Sequence, residues 1–392
     1  MWKWTCTNNH AHAHATHKTH KNPPVLKNIQ TLRFLAAFWV VLHHMSPPVT
    51  PFTLSLLPES ISKLGFAGVD IFFVISGLIM AETTRGLPAG WTTALPFLVK
   101  RFGRVYIGWW PLFVIYFLGT YLKGRLREQV DLWGSFFLWP QNLMLNLLPI
   151  TWTLSFELYF YLVVALLVAW NRSKASLVLG MCGIAIFVLN ILFYQRGLYL
   201  PVNEAQAKTN LLIPFYLSPL ILEFISGFLL SEWFHRFPKQ CLGCWLAGAT
   251  ATIILAFCYQ TYAPLHASGL AGFFHVGERA VLLGGFACCL VACAMELERR
   301  NIFSWKFFQA LGDASYSIYL SHIICLIVVA SIFQKLEQKL HLPSISWGLI
   351  AIALTFACSW FYYQMVERPL NIRLKNQLTK LVGLQKAEVR EA

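Results

Sequence analysis

The sequence predicts an all-α fold, a polytopic transmembrane helix bundle of about ten spans, and three observations carry that prediction. Of the 392 residues, 57% are apolar and only 12% are charged, where a soluble domain carries about a quarter. The mean hydropathy is +0.56. The apolar residues fall in long runs, and crossing about 30 Å of hydrocarbon takes roughly 17 to 25 residues per helix. A net charge of +14 is compatible with nucleic acid, but Lys and Arg sit in short clusters between the runs rather than on one face, so no nucleic-acid partner is expected. Membrane lipid is the expected surrounding.

Residues 1–28 hold His10, His12, His14, His17 and His20 among Ala, Thr and Lys, with no apolar core of a signal peptide. They are expected to form a disordered His-rich cytoplasmic tail. The ten spans follow at 29–46, 64–82, 105–122, 151–170, 176–195, 213–231, 243–262, 278–295, 314–333 and 346–366, within a domain of residues 29–370. The stretch 123–150 mixes Lys123, Arg125, Arg127 and Asp131 with Trp133, Phe136, Phe137 and Trp139, as an interfacial or re-entrant segment does. Residues 371–392 form a basic C-terminal tail. With the N-terminus inside, the cytoplasmic segments hold 21 Lys and Arg and the outer loops eight, Arg33 and Arg279 falling within spans. The positive-inside bias puts both termini in the cytoplasm of a multi-pass inner-membrane protein.

The ten cysteines lie mostly inside apolar runs, and no disulfide framework is expected. Cys241 and Cys244 make a single CxxC with no second pair at zinc spacing. Packing at a helix end accounts for it, and no metal is expected.

An ionisable residue at the centre of a span costs about 2.5–3.5 kcal/mol or more, so each marks a partner or a function. Here they are Arg33, His43, His44, Asp70, Glu157, Glu223 and His322. Arg33 lies near the cytoplasmic end of the first span and His44 near its outer end. Eleven residues rise about 16.5 Å and turn about 20° beyond three full turns, so the two share a helix face. Asp70 and Glu157 both fall in the outer halves of their spans, at the expected depth of His44. A carboxylate beside an imidazole holds the ring in one tautomer and stabilises the imidazolium formed when a hydroxyl proton is taken. A buried ion pair locking helices together is the alternative.

At the cytoplasmic side, Arg101 and Arg104 are three apart and so share a helix face near the depth of Arg33. Three guanidiniums suit bidentate phosphate contacts of the kind coenzyme A offers, although basic residues also flank spans simply as topology signals.

Lined up in order, these segments resemble the integral-membrane acyltransferase 3 family over nearly the whole chain. Arg33 followed by ten residues and His44 resembles the family's first motif, and Gly68-Val-Asp70-Ile-Phe-Phe-Val-Ile-Ser76-Gly77 its GVDxFFVxSG stretch. Arg101-Phe-Gly-Arg104 resembles its RxxR, and Trp152-Thr-Leu-Ser155-Phe-Glu157-Leu-Tyr-Phe-Tyr161 its WSLxxExxFY. Ser315-Tyr316-Ser-Ile-Tyr319-Leu-Ser-His322 and Glu367-Arg368-Pro369 resemble its later elements.

The resemblance implies O-acyl transfer, usually of acetyl, from cytosolic acetyl-CoA or another acyl-CoA to a hydroxyl of a surface glycan or lipid-linked saccharide, such as lipopolysaccharide O-antigen, across the membrane. The expected catalytic residues are His44, Glu157 and Asp70, with Arg33, Arg101 and Arg104 holding the acyl-CoA. Trp152, Ser155, Glu223, Tyr316 and His322 are candidates for the acceptor or the cavity. Two departures stand out. Ile107 replaces a proline common in the family, and with only about 26 residues after the last span no fused SGNH-type domain is expected, so the protein is expected to act alone or to hand its acyl group to a separate extracytoplasmic acceptor protein. The competing readings are a secondary transporter or flippase with an intramembrane proton relay, and the same chemistry on an amine or lipid acceptor.

Overall fold

The computed structural model of this protein describes residues 26–45, 49–50, 63–141, 143–195, 215–263, 265, 277–302, 305–340 and 343–391. The His-rich tract at residues 10–20 lies outside them.

In an apolar surrounding every backbone N–H and C=O needs an internal partner, which leaves helices as the form for long apolar runs. Each of the ten predicted runs is found as a helix, and no strand occurs among the described residues. The helices are α1 (Lys27–His44), α2 (Ala67–Thr84), α3 (Trp91–Tyr121), α5 (Trp152–Asn171), α6 (Ala175–Gln195), α7 (Leu220–Arg236), α8 (Leu242–Tyr262), α9 (Gly277–Arg299), α11 (Ser315–Leu340) and α12 (Ser344–Tyr362). Among the described residues seven stretches are long and apolar enough to cross a membrane, and one of these, Pro149–Leu192, holds both α5 and α6. Helix α1, as long as α2 but less apolar, and the 17-residue α7 sit outside that set.

Three more helices were not expected from apolar runs: α4 (Leu132–Phe137), α10 (Lys306–Asp313) and α13 (Arg368–Glu391). A five-residue π turn, Tyr363–Glu367, joins α12 to α13. The start of α3 lies well before the predicted limit, so Lys100, Arg101 and Arg104 are helical rather than flanking.

The segment between α3 and α5 folds back along α3. Asp131 caps α4, accepting the Gly134 N–H at 2.9 Å, and Leu138 in the left-handed region (φ 57°) ends it. Three donors on one face of α3 then satisfy the carbonyls the short helix leaves open. Trp109 Nε1 donates to Ser135 O at 2.9 Å, Trp110 Nε1 to Phe136 O at 3.2 Å, and Tyr106 Oη to Phe137 O at 2.9 Å. Tyr106 lies 15 residues before the end of α3, so the segment returns about 22 Å along it. The stretch predicted as interfacial or re-entrant is thus packed along α3.

Helices α1 and α2 stand at the centre. Buried α1 residues join three apolar clusters, through Val40, through Ile29 and Ala36, and through Phe34 and Val41. The tightest crossing is between α2 and α7. A Cβ on Gly77 would fall 1.9 Å from Phe224 O, and one on Gly227 would fall 1.9 Å from Val74 O. Bare backbone at both positions is what lets these helices touch.

Gly227→Ala is therefore expected to push α2 and α7 apart and destabilise the fold by about 1–3 kcal/mol or more, read as a fall in melting temperature. Gly180→Ala on α6, where a Cβ meets nothing within 4 Å, should instead hold or raise it.

Candidate active site

Two cavities meet between α1, α2, α3, α5 and α11. The inner one, about 80 Å³, is lined on its polar side by Arg33, Arg101, Arg104, Glu157, Tyr161 and Tyr316. Its apolar side is formed by Phe72, Phe73, Ile75, Ile79 and Met80 of α2. The second, about 530 Å³, is an open vestibule that shares Arg33, Ile79, Arg101 and Arg104 with the first. The vestibule adds Gln30, Lys100, Asp313, Glu367, Arg368, Asn371 and Lys375.

The expected arginine cluster is thus formed. Arg33 is 8% exposed and donates to Gln30 Oε1 at 3.2 Å. Arg101 donates to Thr83 Oγ1 at 3.0 Å, and its guanidinium lies 5.7 Å from the ring centres of Phe97 and Tyr161. Among the described residues none of Arg33, Arg101 and Arg104 forms a salt bridge. Glu157 is the carboxylate of the inner cavity, and it accepts a hydrogen bond from Tyr161 one turn along α5. Tyr316 spans the gap to α3, its ring over Gly108 and its hydroxyl donating to Val105 O at 3.0 Å.

His44 stands one layer further on, paired with His322. The two rings lie 5.0 Å apart, with His322 Nε2 3.4 Å from His44 Nδ1. A carbonyl oxygen only accepts, and this assigns both tautomers. His322 Nδ1 lies 2.6 Å from Tyr319 O and so carries that ring's proton, leaving Nε2 as an acceptor. His44 Nδ1 lies 2.9 Å from Val40 O and is likewise the protonated nitrogen, so the His44 Nε2 lone pair is the basic one. Tyr319 connects the two layers: it lines the inner cavity, and its ring centre lies 5.8 Å from that of His322. Its hydroxyl is fixed by Ile150 O at 3.0 Å and Thr153 Oγ1 at 2.9 Å.

The predicted meeting of His44, Asp70 and Glu157 is not what the structure has. Glu157 belongs to the arginine cavity, of which neither His44 nor Asp70 is a wall. Asp70 is claimed by Arg279: Nε to Oδ1 is 2.9 Å, the terminal nitrogen to Oδ2 is 2.8 Å, and both side chains are almost fully buried. The guanidinium also covers the Phe66 ring at 4.9 Å. Depth along a helix was readable, but the direction around its axis decides the partner. Arg279, which the sequence placed within a span, is 1% exposed.

The remaining candidates divide. Glu223 is 1% exposed, buried against Gly284 of α9 and beside the Asp70–Arg279 pair, so it belongs to that cluster rather than to the cavities. Ser155 is buried on α5, and Trp152 packs edge-on against Phe73 and Phe156, so neither lines the cavities. His43 lies against His44 and Phe66. Cys241 and Cys244 are exposed rather than packed, and every described cysteine is free. Among the described residues no group of three or more His, Cys, Asp and Glu gathers as a metal would need. Residues missed as cavity walls, Lys375 and Arg368 above all, lie on α13, whose charged sequence hid it as a tail.

A family model described as "Acyltransferase domain" matches residues 26–364, which takes in every residue of the inner cavity. The chain belongs to the acyltransferase 3 family. This acyltransferase is similar to "Exopolysaccharide production protein ExoZ" of Rhizobium meliloti (strain 1021), 28% identical over 78% of this chain and 90% of that protein. It is also similar to "Nose resistant to fluoxetine protein 6" of Caenorhabditis elegans, 22% identical over 90% of this chain and 51% of that protein. No solved structure matches it significantly. The family and the apolar helices together make it a multi-pass membrane acyltransferase.

The Asp70–Arg279 geometry separates a structural from a catalytic role for Asp70. Asp70→Asn should strip Arg279 of its bidentate partner, leaving Glu223 as the carboxylate beside it, and cost up to about 3–5 kcal/mol, seen as a drop in melting temperature. Pairing Asp70→Leu with Arg279→Met should recover most of that loss. An Asp70→Asn protein that melts normally but transfers nothing would return Asp70 to the catalytic set.

Proposed function

We propose that this membrane acyltransferase moves an acyl group, acetyl above all, from cytosolic acyl-CoA to a hydroxyl of a surface or lipid-linked glycan on the far side of the membrane. The observation that carries it is the order of groups along α1. Arg33 stands where the two cavities meet, and His44 stands eleven residues on, about 16.5 Å away. An extended pantetheine arm is of that length. The apolar wall of α2 suits its passage, and the three guanidiniums suit the pyrophosphate. The name of the R. meliloti relative supports a polysaccharide as the acceptor.

In this reading His44 Nε2 takes the proton of the acceptor hydroxyl as its oxygen attacks the thioester carbonyl. The C–S bond then breaks, and the His44 imidazolium returns the proton to the departing sulfur, giving an ester and free coenzyme A. His322 is a positioning residue. Its Nε2 accepts from the His44 Nδ1 side, holding the tautomer and stabilising the imidazolium in place of the carboxylate that sequence depth had pointed to. Glu157 balances the three guanidiniums of the donor site. Its removal then acts on donor binding, not on the base.

Purified protein in nanodiscs, supplied with acetyl-CoA and the cell's surface polysaccharide, is expected to release free thiol and yield an acetylated glycan. Acetyl-CoA left intact with a range of glycan acceptors would refute the reading. His44→Ala should lower turnover by about 10²–10⁴-fold with unchanged melting, and His43→Ala should do far less. His322→Gln, whose amide oxygen still accepts from His44, should keep more activity than His322→Ala. Both His322 variants should act on kcat rather than on KM for acetyl-CoA. Glu157→Gln, which leaves the three guanidiniums unbalanced, should act on KM for the donor more than on kcat, and in the direction of tighter binding of the anionic donor.

A further inference from the structure

The vestibule holds more positive charge than the pyrophosphate of an acyl-CoA accounts for. Arg33, Arg101 and Arg104 line both cavities, whereas Lys100, Arg368 and Lys375 line only the outer one. In the vestibule these six cations face two carboxylates, Asp313 and Glu367, while Glu157 meets the three arginines in the inner cavity; Glu367 is buried and engaged by Ser317. Among the described residues Lys100, Arg368 and Lys375 form no salt bridge. All three are exposed.

Two of the outer cations come from α13, the basic helix that runs on from the last span. Arg368, Asn371, Ile372 and Lys375 fall at i, i+3, i+4 and i+7, one helical face, and that face is a wall of the vestibule. The helix is docked and not merely near: the space a Cβ would need on Gly103 is filled by Leu374, 2.3 Å away. Gly103 lies between Arg101 and Arg104. The contact that seats α13 therefore sits inside the turn of α3 that carries the arginine pair.

Resting on the donor reading above, we propose that Lys100, Arg368 and Lys375 form a second phosphate subsite, which binds the 3′-phosphate of the donor's adenosine. The linear order of the donor supports this. Pantetheine, pyrophosphate and phosphorylated ribose follow one another in the molecule. The narrow inner cavity, the three shared guanidiniums and the three outer cations follow one another along the cavities. A dianionic phosphate is the part of the donor that calls for separate cations beyond the pyrophosphate, and ammonium groups serve it as point charges. The inference gives α13 a role in selecting the donor.

The test compares binding of acetyl-CoA and 3′-dephospho-acetyl-CoA to the purified full-length protein in nanodiscs of neutral lipid. The wild type should prefer acetyl-CoA by about tenfold or more, the weight of charge-assisted contacts. Lys375→Ala and Lys100→Ala should each shrink that preference while leaving affinity for the dephospho form nearly unchanged. Gly103→Leu should shrink it without removing any charge. Equal binding of the two donors by the wild type overturns the subsite and leaves acyl-CoA donation standing. No binding of either removes the donor reading itself. Lipid headgroups are the other source of phosphate, so the ratio is remeasured with phosphatidylglycerol in the nanodisc. A ratio unchanged by that lipid supports the nucleotide, and one that collapses assigns the cations to the membrane and overturns the proposal.

Discussion

Three guanidiniums and one carboxylate share a small cavity walled on one side by Phe72, Phe73, Ile75, Ile79 and Met80. Like charges this close repel strongly where water is scarce, and an apolar wall does nothing to relieve them. Two of the guanidiniums are held by neutral partners, Arg33 by Gln30 and Arg101 by Thr83 and two aromatic rings, and Glu157 is held by Tyr161 within the same cavity. The open vestibule supplies water on the remaining side. An arrangement so short of negative charge suits the polyanionic donor proposed for it, and it is held between α1, α2, α3 and α5.

The histidine pair follows the opposite logic. His322 is fully buried, and its partners are a backbone carbonyl and another neutral ring, so the pair needs no counter-charge in its resting state. In the proposed mechanism charge arises there only when His44 takes a proton, and its distance from the cationic cavity spares it electrostatic repulsion. Tyr319, anchored through its hydroxyl to Ile150 and Thr153, stands at the boundary between the two.

Much of this was legible from residue order. Runs of about twenty apolar residues can hardly be anything but helices in a bilayer, and all ten appear. The Arg33 to His44 register followed from helix geometry, and the convergence of Arg33, Arg101 and Arg104 followed from depth plus the positive-inside bias. What escaped was azimuth. Asp70, His44 and Glu157 were placed at one level, but the side of α2 that carries Asp70 faces α9, where Arg279 waits. Helix α13 escaped for a different reason: it is polar, so hydropathy gives no signal, and only its docking on Gly103 makes it a wall.

The Asp70–Arg279 pair has a meaning for how the protein is made. The two residues are 209 positions apart, so α2 leaves the ribosome long before its guanidinium partner exists. In that interval a carboxylate alone in hydrocarbon is too costly to keep. The pair that settles Asp70 in the finished bundle can therefore close only once α9 has been made, and α9 acts as a late key.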